Sequence, residues 1–434
     1  MSSHNSLETF IKSNQFANML PRLYGKNYNK EFQIKRFVAL VAMHQHLFAI
    51  SDTTNTGIFS TAGRSELAGN HTDHNLGQVI AATIDLDTIA AVTPINSPNV
   101  TLVSEGFPPV SVSLIDLEPQ ADEQGTTDAL VRGIAAGFVK RGLLIGGFVA
   151  NTSTRVLKGS GLSSSAAIEI LVATIFNSLY NEESLDPIEM AIIGKFAENN
   201  YFGKPSGLMD QIACGHGGIT GIDFAHPEQP QITSITCDFN QLGYDLVVVD
   251  TGGSHADLTP DYAAIPAEMN SVAEYFDEEV LRKVSLTKFL EALPDLRKQI
   301  NNDRALLRAY HYLSENERVE KMLKALQEKA IDEYLALVRE SGNSSFRFLQ
   351  NLYSPSNFKE QGLSLAIALT EQFLQGQGAC RVHGGGFAGT IQVYVPVTNT
   401  GAYIKFIEGI WGPSTATILA IRSAPTMRLD KFIE

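Results

Sequence analysis

Serine and glycine cluster in the segment KGSGLSSSAA at residues 158–167, directly before an apolar run that predicts a buried helix over 166–180. Glycine lets the backbone approach a ligand closely, and the free N–H groups at a helix start attract anions. Serine hydroxyls can add hydrogen-bond donors or one metal ligand. A flexible loop with a serine helix cap is the alternative. Because the helix is too apolar for the surface, the core anchors the loop, which favours phosphate binding.

A second polar cluster, GRSELAGNHTDHNLG at residues 63–77, lies between predicted strands. It contains Arg64, Glu66, Asn70, His71, Asp73, His74 and Asn75. This mixture suits the binding of hydroxyl groups and the stabilisation of developing charge, with a solvated turn as the alternative. No cluster at metal-ligand spacing accompanies the two histidines, so we do not predict a metal there.

Two carboxylates, Glu198 and Asp210, flank a turn with glycine and proline in ENNYFGKPSGLMDQ at residues 198–211. One carboxylate could bind Mg²⁺ while the other accepts a proton from a reacting hydroxyl. On spacing alone, a helix end followed by an unrelated surface aspartate is the preferred interpretation.

The segment RVHGGGFAG at residues 381–389 satisfies the pattern G-x-G-x-x-G through Gly384, Gly386 and Gly389. A dinucleotide fold requires a helix after this pattern, but a strand, TIQVYVPV, follows here, which excludes that fold. A glycine hinge packed against an active site and a set of tight β-turns remain open. The sequence also lacks a Walker loop, a G-x-S-x-G elbow and an HExxH motif.

Composition narrows the classes of partner. The chain has 434 residues and a net charge of −14, which argues against nucleic acid or an anionic membrane as the main partner but not against Mg·ATP. The three cysteines are widely spaced, which predicts a reduced, cytoplasmic compartment. The first residues lack the pattern of a secretory signal, and no stretch reaches the roughly 18 apolar residues of a membrane span.

Hydrophobic periodicity predicts an α+β protein with a β-rich first half and a helix-rich second half. We predict helices over 31–50, 128–141, 166–180, 186–199 and much of 260–375, with a capping box at Ser314 and Glu317. We predict strands between 57 and 115 and over 143–152, 245–250 and 390–397, and irregular structure over 201–221. We predict a first domain at 56–230, to which a helical lead at 1–55 also belongs, and a second domain at 231–434.

Together, these segments resemble the three signature motifs of the GHMP kinase superfamily, and of the galactokinase family in particular. Three further segments are similar to galactokinase sequences: SHADLTPDY at 254–262, RAYHYLSENERV at 308–319 and SGNSSFRFLQNLYSPS at 341–356. The resemblance implies a two-domain α+β GHMP kinase fold. Its N-terminal domain would resemble domain 2 of ribosomal protein S5, its C-terminal domain would be ferredoxin-like, and the active site would lie in the interdomain cleft.

The resemblance also implies roles for individual residues. Asp210 matches the catalytic aspartate that accepts the proton of a sugar hydroxyl, and Arg64 matches the arginine that orients it. Ser165 and Glu198 match the Mg²⁺ ligands. The ATP phosphates would be bound by Gly159, Ser160, Gly161, Leu162, Ser163, Ser164, Ser165 and Ala166. The sugar would be bound by Asn70, His71, Asp73, Gly207, Asp210 and Tyr262.

Three positions depart from the family pattern, since galactokinases usually carry Asn, Glu and Tyr where this chain has Glu66, Asn70 and His74. A hydrogen bond to a charged group is worth about 1.5–3 kcal/mol, so the missing carboxylate at Asn70 could change sugar preference tenfold or more. We expect a kinase that phosphorylates the anomeric hydroxyl of galactose or a close relative. A kinase for an N-acetylhexosamine, a pentose or a uronic acid is one alternative, and a non-catalytic sugar and ATP sensor is another. We expect a monomer or a homodimer, in which the helical lead caps the first domain or forms an oligomer contact.

Overall fold

The computed structural model describes residues 6–156, 161–204, 206–253 and 258–431. The helices in this part of the chain are α1 Ser6–Ile11, α2 Asn14–Tyr24, α3 Lys30–Leu47, α4 Thr127–Lys140, α5 Ser164–Tyr180, α6 Pro187–Ala197, α7 Met209–His216, α8 Thr259–Glu274, α9 Leu286–Ile300, α10 Asp303–Gln327, α11 Ile331–Ser344, α12 Gly362–Leu374 and α13 Thr400–Trp411. The strands are β1 Gly57–Ala68, β2 Gln78–Pro94, β3 Asn99–Ser104, β4 Val110–Ser113, β5 Phe148–Thr154, β6 Ile219–Asp223, β7 Gln231–Ile235, β8 Tyr244–Asp250, β9 Ala379–His383, β10 Thr390–Pro396, β11 Ala416–Leu419 and β12 Met427–Arg428.

The larger sheet is built around the long antiparallel pair β1 and β2, in the order β12-β1-β2-β5-β3-β4, with β6 on β2 and β7 on β6. Side chains alternate between its faces. Ile89 and Ala91 pack against the N-terminal helices, whereas Ala90 and Val92 belong to the core that contains α5. Both faces of β2 are therefore buried along nearly all of its length, and most of its residues are apolar.

The smaller sheet is antiparallel, in the order β11-β8-β10-β9, and packs against α12 and α13. The two sheets do not occupy two uninterrupted stretches of chain. β7 pairs with β6 in the larger sheet, and β12 returns there to pair with β1. The domain limits at 56–230 and 231–434 stay a prediction.

Two local predictions were wrong. The segment 201–221, predicted to be irregular, contains α7 and the start of β6. Residues of α7 such as Ile212 are fully buried, so tertiary packing stabilises a helix that is too short to stand out by periodicity.

The predicted capping box at Ser314 and Glu317 is also wrong, because α10 continues through both residues. The Ser314 hydroxyl donates to the Tyr310 carbonyl one turn earlier, at 2.7 Å. The helix instead begins after Asn302, whose side chain accepts a hydrogen bond from the N–H of Ala305. In the described ranges, no helix has both the length and the apolar character that a membrane crossing requires.

Candidate active site

Arg64 and Asp210 form an ion pair between β1 and the first turn of α7. Arg64 Nε lies 2.7 Å from Asp210 Oδ1, and the same guanidinium donates to the carbonyl of Gly161. The Ser163 hydroxyl donates to the other carboxylate oxygen of Asp210 at 2.5 Å. The structure therefore brings together the predicted catalytic pair and the predicted phosphate-binding loop.

A β-bulge explains how β1 meets this loop. The register of β1 against β2 shifts between Ala62 and Arg64, where Gly63 of β1 faces three residues of β2 at 84–86. A Cβ atom on Gly63 would lie 2.8 Å from the Leu162 carbonyl oxygen, so only glycine permits this approach. The N–H of Arg64 donates to the same carbonyl at 3.1 Å, which fixes the loop against the strand.

The predicted phosphate-binding loop borders a pocket of about 210 Å³. The pocket is lined by Arg64, Gly161, Leu162, Ser163, Ser164, Ser165, Lys204 and Asp210. Ser163 has a left-handed backbone with φ of 59° and precedes α5, whose first N–H groups lack partners inside the helix. These groups and the serine hydroxyls suit an anion. Ala166 lies in the first turn of α5, and the predicted residues Gly159 and Ser160 lie outside the described residues.

Asp210 is held in its anionic form. Burial alone would raise the pKa of Asp210, but the Arg64 guanidinium and the hydrogen bonds from Arg64 and Ser163 lower it below its usual value. A carboxylate that is ionised at neutral pH can accept a proton, so the geometry suits a base that is already oriented for its substrate.

Glu198 lies at the end of α6, where a π-helical turn, Glu198–Phe202, widens the helix. Its carboxylate is only 2% exposed, and Lys204, Ser206 and Gln211 each donate a hydrogen bond to it. Sequence reasoning missed these three donors. Lys204 could have been found, because it is the one cation between the two carboxylates of the segment 198–211.

A further buried carboxylate, Glu169 of α5, lies beside this group. Gln211 Nε2 donates to Glu169 Oε2 at 2.9 Å and to Glu198 Oε2 at 2.8 Å, so one amide bridges the two acids. Glu169 Oε1 has no hydrogen-bond partner among the described residues. Burial and the negative charge of Glu198 raise the pKa of Glu169 well above its usual value.

The donor atoms around the pocket fit Mg²⁺ bound with a nucleotide. Mg²⁺ prefers oxygen ligands and is commonly held by one or two protein groups together with substrate phosphates. The Ser165 hydroxyl on the pocket wall and the Glu198 carboxylate, which contacts the pocket residue Lys204, are such groups. Within the ranges described, no three acidic, histidine or cysteine side chains form a metal cage by themselves.

The glycine turn between β9 and β10 holds three of the residues predicted to bind sugar. The carbonyls of Gly384–Gly386 accept, in order, from Asn70 Nδ2 at 2.7 Å, His71 Nε2 at 2.9 Å and the Tyr262 hydroxyl at 2.8 Å. Burial lowers the pKa of His71 to about 4, so its imidazole is neutral. Of the two interpretations left open for this turn, close packing against the site is the one that the contacts support.

Gly207 and Asp73 lie in direct contact. A Cβ atom on Gly207 would lie 2.1 Å from Asp73 Oδ2, so a side chain at this point would displace the Asp73 carboxylate. Burial and the negative charge of Asp210 raise the pKa of Asp73. The two aspartates are therefore within electrostatic reach of each other, as residues that share one substrate would be.

Asn70, which was predicted to bind the sugar, is enclosed by protein groups. Its side chain is 0% exposed, and protein groups use all four of its hydrogen-bonding positions. The amide nitrogen donates to Glu66 and Gly384, and the amide oxygen accepts from Ser345 and Asn351. The Asn70 amide would therefore have to give up one of these partners to contact a sugar hydroxyl, and its role in sugar binding stays a prediction.

Two family models match the chain: the GHMP kinases N terminal domain at residues 129–218 and the galactokinase galactose-binding signature at residues 43–94. A galactokinase of Streptomyces coelicolor is 30% identical over 357 residues, which cover 81% of this chain and 88% of that protein. A galactokinase of Clostridium tetani is 28% identical over 369 residues, which cover 81% of this chain and 86% of that protein.

Solved structures share the fold. The galactokinase of Lactococcus lactis complexed with galactose has a TM-score of 0.76 at 23% identity, covering 90% of this chain and all of that chain. The mevalonate kinase of Methanococcus jannaschii has a TM-score of 0.57 at 17% identity, with coverage of 84% and 98%. The predicted two-domain α+β fold of the GHMP kinases is thus confirmed.

Proposed function

Because this chain belongs to the galactokinase family of the GHMP kinases, we propose that it transfers the γ-phosphate of ATP to the anomeric hydroxyl of galactose. The products are galactose 1-phosphate and ADP. The observation that carries the proposal is the convergence of Arg64, Asp210 and Ser163 at one pocket beside the start of α5. The galactose-binding signature supports galactose as the sugar.

In the proposed reaction, Asp210 accepts the proton of the sugar hydroxyl. The sugar oxygen forms a bond to the γ-phosphorus, the bond from that phosphorus to the bridging oxygen breaks, and ADP leaves with the electron pair. Arg64 keeps Asp210 ionised and lies close enough to offset the charge that develops on the transferred group. Ser163 holds the second oxygen of Asp210, so the base has one orientation.

The segment 159–166 would bind the ATP phosphates through backbone N–H groups and serine hydroxyls. Ser165 and Glu198 would hold Mg²⁺, which when bound neutralises phosphate charge. His71, Asp73, Gly207 and Tyr262 would form the sugar side of the site, and the glycine turn 384–386 supports His71 and Tyr262 there. Positioning of this kind is the main contribution that a protein makes to phosphoryl transfer.

The proposal includes a cytoplasmic location, where ATP is abundant. Three buried free thiols, Cys214, Cys237 and Cys380, support a reducing compartment. The partners would be small molecules, galactose and Mg·ATP, and the oligomeric state would be a monomer or a homodimer.

The test is ADP release by the purified protein with Mg·ATP and a panel of sugars: galactose, N-acetylgalactosamine, arabinose and galacturonate. We expect the highest kcat/KM with galactose. Asp210→Asn should nearly abolish turnover while ATP still binds, whereas Asp295→Asn, which removes an exposed acid, should have no effect. Binding of galactose and ATP without turnover of any sugar would favour the sensor, and faster turnover of another sugar would favour one of the other kinases.

A further inference from the structure

Lys204 is a cation in the pocket to which no sequence motif assigned a role. It follows Gly203, whose φ of +85° ends the π-helical turn after α6. This left-handed backbone favours glycine, and a Cβ atom on Gly203 would also displace the Gln124 amide, whose Nε2 would lie 2.2 Å away. The N–H of Lys204 donates to the Glu198 carbonyl at 3.1 Å. The backbone therefore sets the position of Lys204 relative to Glu198.

The two cations on the pocket wall differ in what they can offer a ligand. The guanidinium of Arg64 is buried and already binds Asp210 and the Gly161 carbonyl. The ammonium of Lys204 contacts the Glu198 carboxylate at 2.8 Å, and its side chain is 54% exposed. An ammonium has three donors, so Lys204 can bind a further anion while Arg64 stays with Asp210.

We propose that Lys204 is a phosphate-binding residue whose ammonium pairs with the terminal phosphate of the nucleotide. The inference rests on the proposed function, since it takes the pocket to be the place where the ATP phosphates bind. Lys204 lines this pocket together with Ser163, Ser164 and Asp210, which would face the transferred group. Its position beside Glu198 also neutralises that carboxylate before a metal binds.

Charge balance supports this role. Asp210 lines the pocket, Glu198 pairs with the pocket residue Lys204, and a triphosphate adds several negative charges. Phosphoryl transfer sites offset such charge with metal ions and with lysine or arginine side chains. Lysine is a compact charge on a flexible stem, so a small rotation can move its ammonium from Glu198 towards a phosphate oxygen.

The test compares nucleotide affinities of the wild type with those of Lys204→Met, which keeps the length of the side chain and removes its charge. Calorimetric titrations of ATP and ADP are made in EDTA and with Mg²⁺. In EDTA we expect Lys204→Met to weaken ATP binding roughly tenfold, which corresponds to about 1.4 kcal/mol. ADP lacks the terminal phosphate, so its affinity should change much less. Lys204→Arg should retain most of the ATP affinity.

Lys405→Met is the control, because it removes an exposed positive charge from α13, outside the pocket. Equal ATP to ADP affinity ratios in the wild type and in Lys204→Met would overturn the inference. If Lys204→Met does not fold, Lys204→Gln supplies the same comparison. A wild type that binds no ATP would remove the proposed function as well. A wild type that phosphorylates galactose, beside a Lys204→Met variant with unchanged affinities, would remove this inference alone.

Discussion

Arg64 and Asp210 are 146 positions apart in the chain, yet Arg64 Nε donates a hydrogen bond of 2.7 Å to Asp210 Oδ1. One residue comes from a bulged strand and the other from the first turn of a short helix. In the proposed reaction, this contact joins the base to the cation that keeps it ionised. Changes at either residue should therefore alter the pH dependence of the reaction as well as its rate.

The first prediction concerns the pH profile of Arg64→Met. The pKa of Asp210 is lowered in the folded protein, so the base form persists through neutral pH and is lost only as the pH falls through that depressed pKa. Removal of Arg64 takes away the main lowering influence, and burial then raises the pKa. We expect the acidic limb of kcat/KM against pH to move upward and kcat to fall by roughly 10²–10³-fold. If Arg64→Met is slower but the acidic limb of its pH profile is unshifted, the proposal that Arg64 keeps the base Asp210 ionised is contradicted.

The second prediction concerns Gly207→Ala. Its methyl group would lie 2.1 Å from Asp73 Oδ2, so Asp73 must move. A lost hydrogen bond between a charged group and a sugar hydroxyl costs about 1.5–3 kcal/mol, so galactose affinity should fall roughly tenfold or more. ATP affinity should stay the same. The control is Gly409→Ala, a change in α13 where a Cβ atom meets open space. Equal galactose affinities for both variants, measured by calorimetry, would show that Asp73 does not bind the sugar.

The third prediction concerns Glu66 and Asn70. This chain has an acid and then an amide at these two positions, whereas galactokinases usually have an amide and then an acid. Glu66 forms a buried ion pair with Arg381 at 2.5 Å, and Asn70 donates to the same Glu66 oxygen. Asn70→Glu would place a second buried carboxylate beside Glu66, which already pairs with Arg381. We expect this variant to lose about 3 kcal/mol of unfolding free energy, as when a buried ion pair is broken. Urea unfolding measures the loss.

The matching variant combines Glu66→Asn with Asn70→Glu, so that one carboxylate again faces Arg381. We expect the double variant to lose less stability than the sum of the two single variants, because adjacent buried groups are coupled. Additive losses would mean that the two positions act independently. The kcat/KM values of the double variant with each sugar of the panel would show whether a carboxylate at position 70 alters the preference among sugars.

The fourth prediction concerns Asp87 of β2, which forms hydrogen bonds with the N-terminal helices. Its carboxylate accepts hydrogen bonds from Tyr24, Arg36 and Ser60 and is completely buried. Burial would raise the pKa of Asp87, but Arg36 and Arg422 lower it. The stabilisation is therefore present above the unfolded-state pKa, and it is lost as the pH falls through the depressed folded-state value.

Asp87→Asn should cost about 3–5 kcal/mol at pH 7, because it leaves buried cations unpaired. The difference from the wild type should shrink in urea unfolding at about pH 3, near the unfolded-state pKa of about 3.9. Asp85→Asn is the control, since burial raises the pKa of Asp85 to about 6 and its ionised form already costs stability at neutral pH. Asp85→Asn should therefore be neutral or stabilising at pH 7, and a large loss there would contradict the argument.

Local sequence determined much of the architecture. The long apolar run before Tyr180 predicted the buried α5, and the β-branched alternation predicted β1 to β4, because periodicity reports which faces of an element are buried. The glycine and serine residues of the segment 158–167 also indicated a binding site, and the described part of this segment lies beside the pocket. These signals are local, since one stretch of about ten to twenty residues contains each of them.

Tertiary structure alone decided which residues meet. The helix α7, which contains Asp210, is too short to be recognised from its hydrophobic periodicity. Packing against the core stabilises it. The Asn70 side chain forms hydrogen bonds with Glu66 and with residues far along the chain, which together use all of its donor and acceptor positions. The Lys204 side chain lines the pocket because of the turn at Gly203. Side-chain hydrogen bonds are directional and short, so their partners depend on positions in space that one-dimensional spacing does not encode.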